Sequence, residues 1–364
     1  VSPIFKKGKK HVPSNYRPVS LTSIASKILE SFIRENILSH MRINNLLSNR
    51  QFGFLNGRST VLQLLKVLDQ WMEILDDNSN KIDSIYLDFS KAFDTVPHNR
   101  LISKMNGYGL HKTTCNWVQD FLSHREHRVC VNGVHSDSAP VTSGIPQGSV
   151  LGPVLFILYI NDLPDDIESH IFLFADDTKI YNQIENQDDA ANLQNDLKKL
   201  EEWSKKWLLS FNASKCKVLH LGKNKSTQNY ILNETILDSA NKEKDLGVTI
   251  DDELTFSDHI DTVVNKANRI MGIIRRSFKY LDNSTFVKLY KGLVRPHLEY
   301  AVQVWSPYRK RDIRKLESVQ RRATKQINTL KDQFPSQSTQ LTNPVIQEDE
   351  RLRDRDLQDH DRKK

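Results

Sequence analysis

The chain has 364 residues, 38% hydrophobic and 27% charged, enough for two or three packed subdomains. No apolar run reaches the roughly 18 residues that a membrane span needs, the longest candidate, 150–160, being interrupted by Gly152 and Pro153. The net charge of +7 favours a polyanionic partner without requiring one. Three widely spaced cysteines, Cys115, Cys130 and Cys216, form no zinc pattern; with no signal peptide, a chain that is not secreted and sits in the nucleus or cytoplasm is expected.

Residues 1–20 are basic and rich in turn formers, and the chain opens at Val1 inside what reads as a motif, so a cut N-terminus is expected. Over 24–47, Ile24, Ile28, Phe32, Ile33, Ile37 and Met41 recur at helical spacing and predict a core-facing helix. Val61, Leu64, Leu65, Leu68, Trp71, Met72 and Leu75 predict another, capped by Ser59 or Thr60. A short apolar strand is expected over 84–89, ending in a polar turn and Pro97, then a helix over 110–123. Residues 128–134 read as a strand ending at an Asn132-Gly133 turn. A glycine-rich turn over 143–148 leads into an apolar helix to about 162, and 171–181 reads as a hairpin with two aspartates at its tip. An amphipathic helix over 190–209 carries Leu193, Leu197, Leu200, Trp203 and Trp207, with strands expected near 218–221 and 246–250. Residues 258–328 read as mostly helical and basic; the polar, charge-alternating tail from about Asp332 reads as disordered.

Three aspartates carry the chemistry. Asp88 ends the apolar run Ile85-Tyr86-Leu87, where a carboxylate is costly unless paired or metal-bound. Asp176 and Asp177 follow the run Ile171-Phe172-Leu173-Phe174-Ala175, at the tip of the predicted hairpin. An Asp-Asp pair is by itself ordinary turn chemistry. If the two strands are neighbours, however, all three carboxylates converge into an oxygen-rich site for hard divalent cations. Two such ions about 3.5–4 Å apart can clamp an in-line phosphoryl displacement.

The run from Tyr86 through Asp88-Phe89-Ser90-Lys91-Ala92-Phe93-Asp94 to Pro97-His98 resembles the first catalytic motif of non-LTR retrotransposon reverse transcriptases. Ser143-Gly144-Ile145-Pro146-Gln147-Gly148, running on to Gly152-Pro153, resembles their second motif, and Phe174-Ala175-Asp176-Asp177 their third. Upstream, Pro3-Ile4-Phe5-Lys6-Lys7-Gly8 and Asn15-Tyr16-Arg17-Pro18-Val19-Ser20 resemble the fingers segment. Downstream, Ser214-Lys215-Cys216-Lys217 and Leu246-Gly247-Val248-Thr249-Ile250 resemble later palm motifs. Order and rough spacing agree over about 1–328, with the nearest likeness to jockey-like or CR1-like elements.

The resemblance implies an α+β right-hand polymerase with fingers, a palm of antiparallel sheet backed by helices, and a helical thumb. Fingers and palm would occupy 1–225, a connecting region and basic thumb 226–330, and a polar tail 331–364. The implied activity is RNA-directed DNA polymerisation with an RNA template, a DNA primer, dNTPs and two Mg²⁺ ions, for which Mn²⁺ may substitute. Asp88, Asp176 and Asp177 would be catalytic, binding metal with the backbone oxygen of Phe89. Phe93 would be the sugar gate, Gln147 and Gly148 would lie along the nucleotide, and Lys6 and Arg17 would hold its triphosphate, with Lys7 a near-equal candidate to Lys6. Lys215 would donate a proton to pyrophosphate. Each has a plainer alternative: a core aromatic for Phe93, a structural turn for Gln147-Gly148, and solvated surface cations for the basic residues.

After the palm-like part, basic residues including Lys266, Arg269, Arg275, Arg276, Arg311 and Arg321 are interleaved with Tyr280, Tyr290, Tyr300, Trp305 and Tyr308. This composition suits a thumb gripping a template–primer backbone, or a solvated helical face over an aromatic core. The competing reading of the whole chain is a catalytically inactive retroelement relic that only binds nucleic acid. An RNA-synthesising polymerase is a third, opposed by the bulk of Phe93.

Overall fold

Near the N-terminus two short strands, β1 (Ser2–Phe5) and β2 (Tyr16–Val19), pair antiparallel and bracket the basic turn. The run 82–87, buried everywhere except at Tyr86, becomes β3 (Ile82–Leu87), the middle strand of a five-stranded sheet. The expected hairpin forms as β4 (His170–Phe174) and β5 (Asp177–Gln183), and β5 lies antiparallel against β3. On the other side β3 pairs antiparallel with β6 (Lys217–Leu221), and β7 (Asp238–Ala240) runs parallel to β6 at that edge. The order is β7-β6-β3-β5-β4. A buried carboxylate, Asp83, is satisfied within this sheet by His220 Nδ1 at 2.6 Å and the Tyr230 hydroxyl at 2.7 Å. The computed structural model describes residues 1–77, 80–223, 228–278 and 280–325; the tail expected from Asp332 lies outside them.

Helices cover the sheet. The second predicted helix is α2 (Thr60–Leu75), with Ser59 capping it and Leu64, Val67 and Trp71 buried on one face. Helix α1 (Ile24–Ile43) departs from expectation: Ile37 and Met41 are fully buried, but Ile24, Ile28 and Phe32 are 79%, 54% and 69% exposed. The periodicity located the apolar stripe correctly, yet only the C-terminal half of the stripe meets the core. A helix α3 (His98–Gly107) follows Pro97, where the sequence reading placed only a turn, and α4 (Lys112–Leu122) fits the segment expected over 110–123. The packing face of α3, Leu101 and Met105, is short, a weak periodic signal.

Helix α5 (Gly152–Ile160) is buried at every position but Pro153, so it has no polar stripe. Each fully buried large apolar side chain there contributes about 1.5–3 kcal/mol. Helix α6 (Gln187–Trp207) starts with a capping box between Asn186 and Asp189 and buries Leu193, Leu197 and Leu200. At the predicted Asn132-Gly133 turn both residues have positive φ, 52° and 82°, joining the two-residue strands Cys130–Val131 and Val134–His135. The strand there is thus shorter than the 128–134 run suggested.

By contacts the chain forms two units: Val1–Gly247 with Asp251–Leu254, and Val248–Ile250 with the chain from Thr255 onward. Because β7 pairs with β6, residues 228–247 belong to the first unit. The second unit is helical, as expected, from α7 (Ser257–Ser277) to α8 (Lys310–Thr324) with shorter helices between. Buried Asp312 on α8 accepts from Ser257 at 2.6 Å and pairs with Lys315 at 3.0 Å. Phe286 and Trp305 are buried, while Tyr280 and Tyr308 are exposed, so the aromatics divide between core and surface.

Candidate active site

Register decides where the aspartates meet. Leu87 at the end of β3 is opposite Thr178, so Asp88, one residue on, reaches the level of Asp177 at the start of β5. Phe174 pairs with Asp177 across a two-residue turn of Ala175 and Asp176, with Ala175 in the left-handed region at φ 53°. The sheet thereby brings Asp88 to the same end of adjacent strands as Asp176 and Asp177, which lie 88 and 89 residues further along the chain, as anticipated.

Their charges are felt mutually. Burial first, then the charge of Asp88, pushes the Asp176 carboxyl up, opposed by its own backbone N–H, Arg17 and Lys6. Asp177 is pushed up to about 6 by burial, then by Asp176, Asp245 and Asp88. Among the described residues no three His, Cys, Asp or Glu side chains close into a ready metal cage. Lys215 Nζ instead sits 2.5 Å from Asp88 Oδ2. The donor set still suits a hard cation: it is all oxygen, and the Asp176 and Asp177 carboxyls are raised by burial and then by neighbouring carboxylate charge, which a cation would relieve.

The two long motifs that flank the aspartates are zipped to each other. After Asp88 the chain turns through Lys91, at φ 51°, into the single helical turn Ala92–Thr95. Ile145 N donates to Phe93 O at 2.7 Å and Gly144 N to Val96 O at 2.9 Å. A Cβ on Gly144, whose φ is 87°, would stand 2.5 Å from Asp94 O, so only glycine allows this approach. Gln147 Nε2 donates to Asp94 Oδ1 at 2.8 Å, while Ser20 N donates to Gln147 O at 2.7 Å and ties the β1–β2 hairpin to the same turn. Buried Glu30 on α1 accepts from Val150 N at 2.6 Å and Leu151 N at 3.1 Å, just before α5 begins.

An open cleft of about 1160 Å³ lies beside these elements, lined by Lys6, Arg17, Asp88, Phe89, Phe93, Gln147, Gly148, Asp176 and Lys215. It gathers every predicted site residue except Asp177. Phe93 stacks on Phe156, ring centroids 4.5 Å apart, and is half-buried at the cleft wall. Gln147 and Gly148 form a structural turn that also lines the cleft. Between the two lysines the structure discriminates: Lys6 faces this cleft, whereas Lys7 lines a smaller one of about 390 Å³ with Asp88, Asp177 and Lys215. The Phe89 side chain is buried against Phe211, ring centroids 4.4 Å apart, leaving its backbone to follow Asp88 into the cleft wall.

The sequence reading missed Glu30, Asp94, Gln51 and Gly53. Gln51 Oε1 accepts from Gly53 N at 2.7 Å and Ala175 N at 2.9 Å, touching the turn that carries the aspartates. The one local hint was a glycine between two aromatics in Gln51-Phe52-Gly53-Phe54.

The sequence pattern of the family described as reverse transcriptase (RNA-dependent DNA polymerase) matches residues 4–281. The chain is 31% identical over 340 residues to a probable RNA-directed DNA polymerase from transposon X-element of Drosophila melanogaster, covering 90% of this chain and 37% of that one. Against the RNA-directed DNA polymerase from mobile element jockey of the same organism, identity is 30% over 340 residues, covering 89% and 37%. The chain therefore spans little more than a third of the length of these curated relatives. Among solved structures, apo telomerase from Candida tropicalis overlaps 82% of this chain and 49% of that one at 13% identity, with a TM-score of 0.46, too low to bear on the fold.

Proposed function

We propose, since the chain belongs to the reverse transcriptase (RNA-dependent DNA polymerase) family, that it is the polymerase part of a non-LTR retrotransposon protein and adds dNTPs to a DNA 3′ end on an RNA template. The observation that carries this reading is the meeting of Asp88, Asp176 and Asp177 at one end of the sheet, beside a cleft that holds Lys6, Arg17, Phe93 and Gln147. Asp88, Asp176 and Asp177, with the Phe89 carbonyl oxygen, would hold two Mg²⁺ ions or Mn²⁺ in their place. When bound, such ions make a primer 3′-hydroxyl easier to deprotonate and offset the charge of the leaving pyrophosphate.

The remaining roles fall to the chain's own groups. Arg17 offers a planar fork and Lys6 a point charge to the triphosphate at the cleft wall. The ring of Phe93, braced by Phe156, fills the space under the sugar and would clash with a 2′-hydroxyl. Gly148, at φ 100° and with Ser20 O only 2.8 Å from where a Cβ would stand, lets bare backbone face the nucleotide. Lys215, leaving Asp88 as substrate arrives, is placed to give a proton to pyrophosphate. The second, helical unit would act as the thumb, its exposed cations contacting template–primer phosphates. The cysteines are unpaired, which fits the nucleus or cytoplasm.

The test is primer extension on an RNA template with dNTPs and Mg²⁺, wild type against Asp176→Ala. Extension by the wild type that the substitution abolishes supports the polymerase and the metal role. Template–primer binding without extension in Mg²⁺ or Mn²⁺ would leave a nucleic-acid-binding relic.

A further inference from the structure

We infer that the loop segment around Gln51 and Gly53 is a splint for the aspartate hairpin, with Gln51 as the positioning residue that fixes Asp176 and Asp177 relative to Asp88. The inference rests on the metal-binding role proposed for those three carboxylates.

Strand β4 is the outermost strand on its side of the sheet, so the hairpin it forms with β5 has a free edge next to its tip. The tip itself is unfavourable: Ala175 occupies a conformation that non-glycine residues adopt reluctantly. The segment after α1 compensates. It runs parallel to β4, with Leu173 N donating to Arg50 O at 2.9 Å and Phe52 N to Leu173 O at 2.7 Å.

Past Leu173 a side chain takes over from the backbone. Gln51, fully buried, directs Oε1 at both Gly53 N and Ala175 N, so one acceptor ties the loop to the first peptide of the turn. Its Nε2 is buried with no partner among the described residues. A buried amide kept at that cost is explained by its acceptor.

Gly53 points to the same peptide. A Cβ there would stand 2.5 Å from Ala175 N and 3.1 Å from Phe174 C, both backbone atoms that cannot swing aside. The splint is in turn anchored: Arg58 donates to Gln51 O and, at 2.9 Å, to Ser48 O, and stacks 5.5 Å from the centroid of Phe52, which packs on Phe172 of β4. Two constraints, an acceptor and a close approach, therefore act on the residue immediately before Asp176, and a Cβ on Gly53 would also stand 3.1 Å from Gln51 Oε1.

The test measures Mn²⁺ affinity of the whole chain by electron paramagnetic resonance, and primer extension as a function of Mn²⁺. Four proteins are compared: wild type, Gln51→Met, Gly53→Ala, and Leu64→Ala as a destabilised core control. We expect Gln51→Met and Gly53→Ala to lose at least tenfold in Mn²⁺ affinity, with extension recovering at high Mn²⁺ and template–primer affinity unchanged. Leu64→Ala should melt earlier yet keep the wild-type affinity. If Gln51→Met does not fold, Gly53→Ala, which keeps the acceptor, carries the comparison. Unchanged affinity in a folded Gly53→Ala, or an equal loss in Leu64→Ala, overturns the splint while leaving the metal role intact. A wild type that binds no Mn²⁺ overturns both.

Discussion

The carboxyl of Asp177 is pushed up to about 6, first by burial and then by the charges of Asp176, Asp245 and Asp88, from an ordinary value of 3.8. Between those two values the folded chain holds a proton that the unfolded chain releases. The folded state therefore binds more protons in that window, and stability falls as pH rises through it. Above about 6 the ionised group is present in full, and its cost with it. A cation needs that ionised form. Mn²⁺ affinity should accordingly be flat at alkaline pH and fall by up to roughly tenfold per pH unit below about 6. Asp177→Asn should abolish this dependence while raising the melting temperature of the metal-free chain at neutral pH. A melting temperature that drops instead would mean that Asp177 is held by favourable contacts rather than by function. Asp245, one of the charges that raise Asp177, is itself paired with Lys179 in the interior.

Between elements, the decisive groups are side chains that reach from one to the next and satisfy backbone ends. Glu30 is the clearest: from α1 it accepts two N–H groups at the start of α5 and the Ser26 hydroxyl at 2.9 Å. Its negative charge lies where a helix N-terminus favours one. Glu30→Ala would leave both N–H groups buried and unpaired, at about 1–3 kcal/mol each. We predict a loss of about 2–5 kcal/mol in chemical denaturation, and roughly half of that in Glu30→Gln, which keeps an acceptor. A loss below about 1 kcal/mol would indicate that water replaces the carboxylate. Glu30 is thus a fold residue lying close to the chemistry: the turn it steadies carries Gln147 and Gly148.

At the scale of the whole molecule, exposed cations mark the second unit. Lys266, Arg269, Arg275, Arg276, Lys291, Arg314 and Arg321 of the second unit are all exposed. If that unit contacts phosphates as proposed, template–primer affinity will fall steeply with salt. Replacing Arg275 and Arg276 by alanine should make the slope of log K against log salt shallower by about 0.9 per lost contact. The weakening should be the same for unrelated template sequences, since phosphate contacts carry no base readout. An unchanged slope in a filter-binding titration would remove these arginines from the interface.

The sequence by itself determined the family, the candidate aspartates and most of the elements. Asp88, Asp176 and Asp177 each end an apolar run, and that pattern is local, so it survives in one dimension. The hairpin, α2, α5 and α6 were legible for the same reason: a period of 2 or 3.6 and a few turn residues are properties of neighbours in the chain; of the two aspartates expected at the tip, Asp176 is in the turn and Asp177 opens β5. The family motifs added the cleft residues, but could not choose between Lys6 and Lys7. Tertiary structure separates the two, because adjacent side chains in a turn line different clefts. It also left the apolar stripe of α1 half uncovered, since periodicity says which face is apolar and not what meets it. It zipped residues 93–96 to 144–145, set Glu30 under α5, and laid Gln51 against Ala175 across 124 positions of chain. Contacts of that kind depend on which surfaces pack together, and no local pattern in the sequence records it.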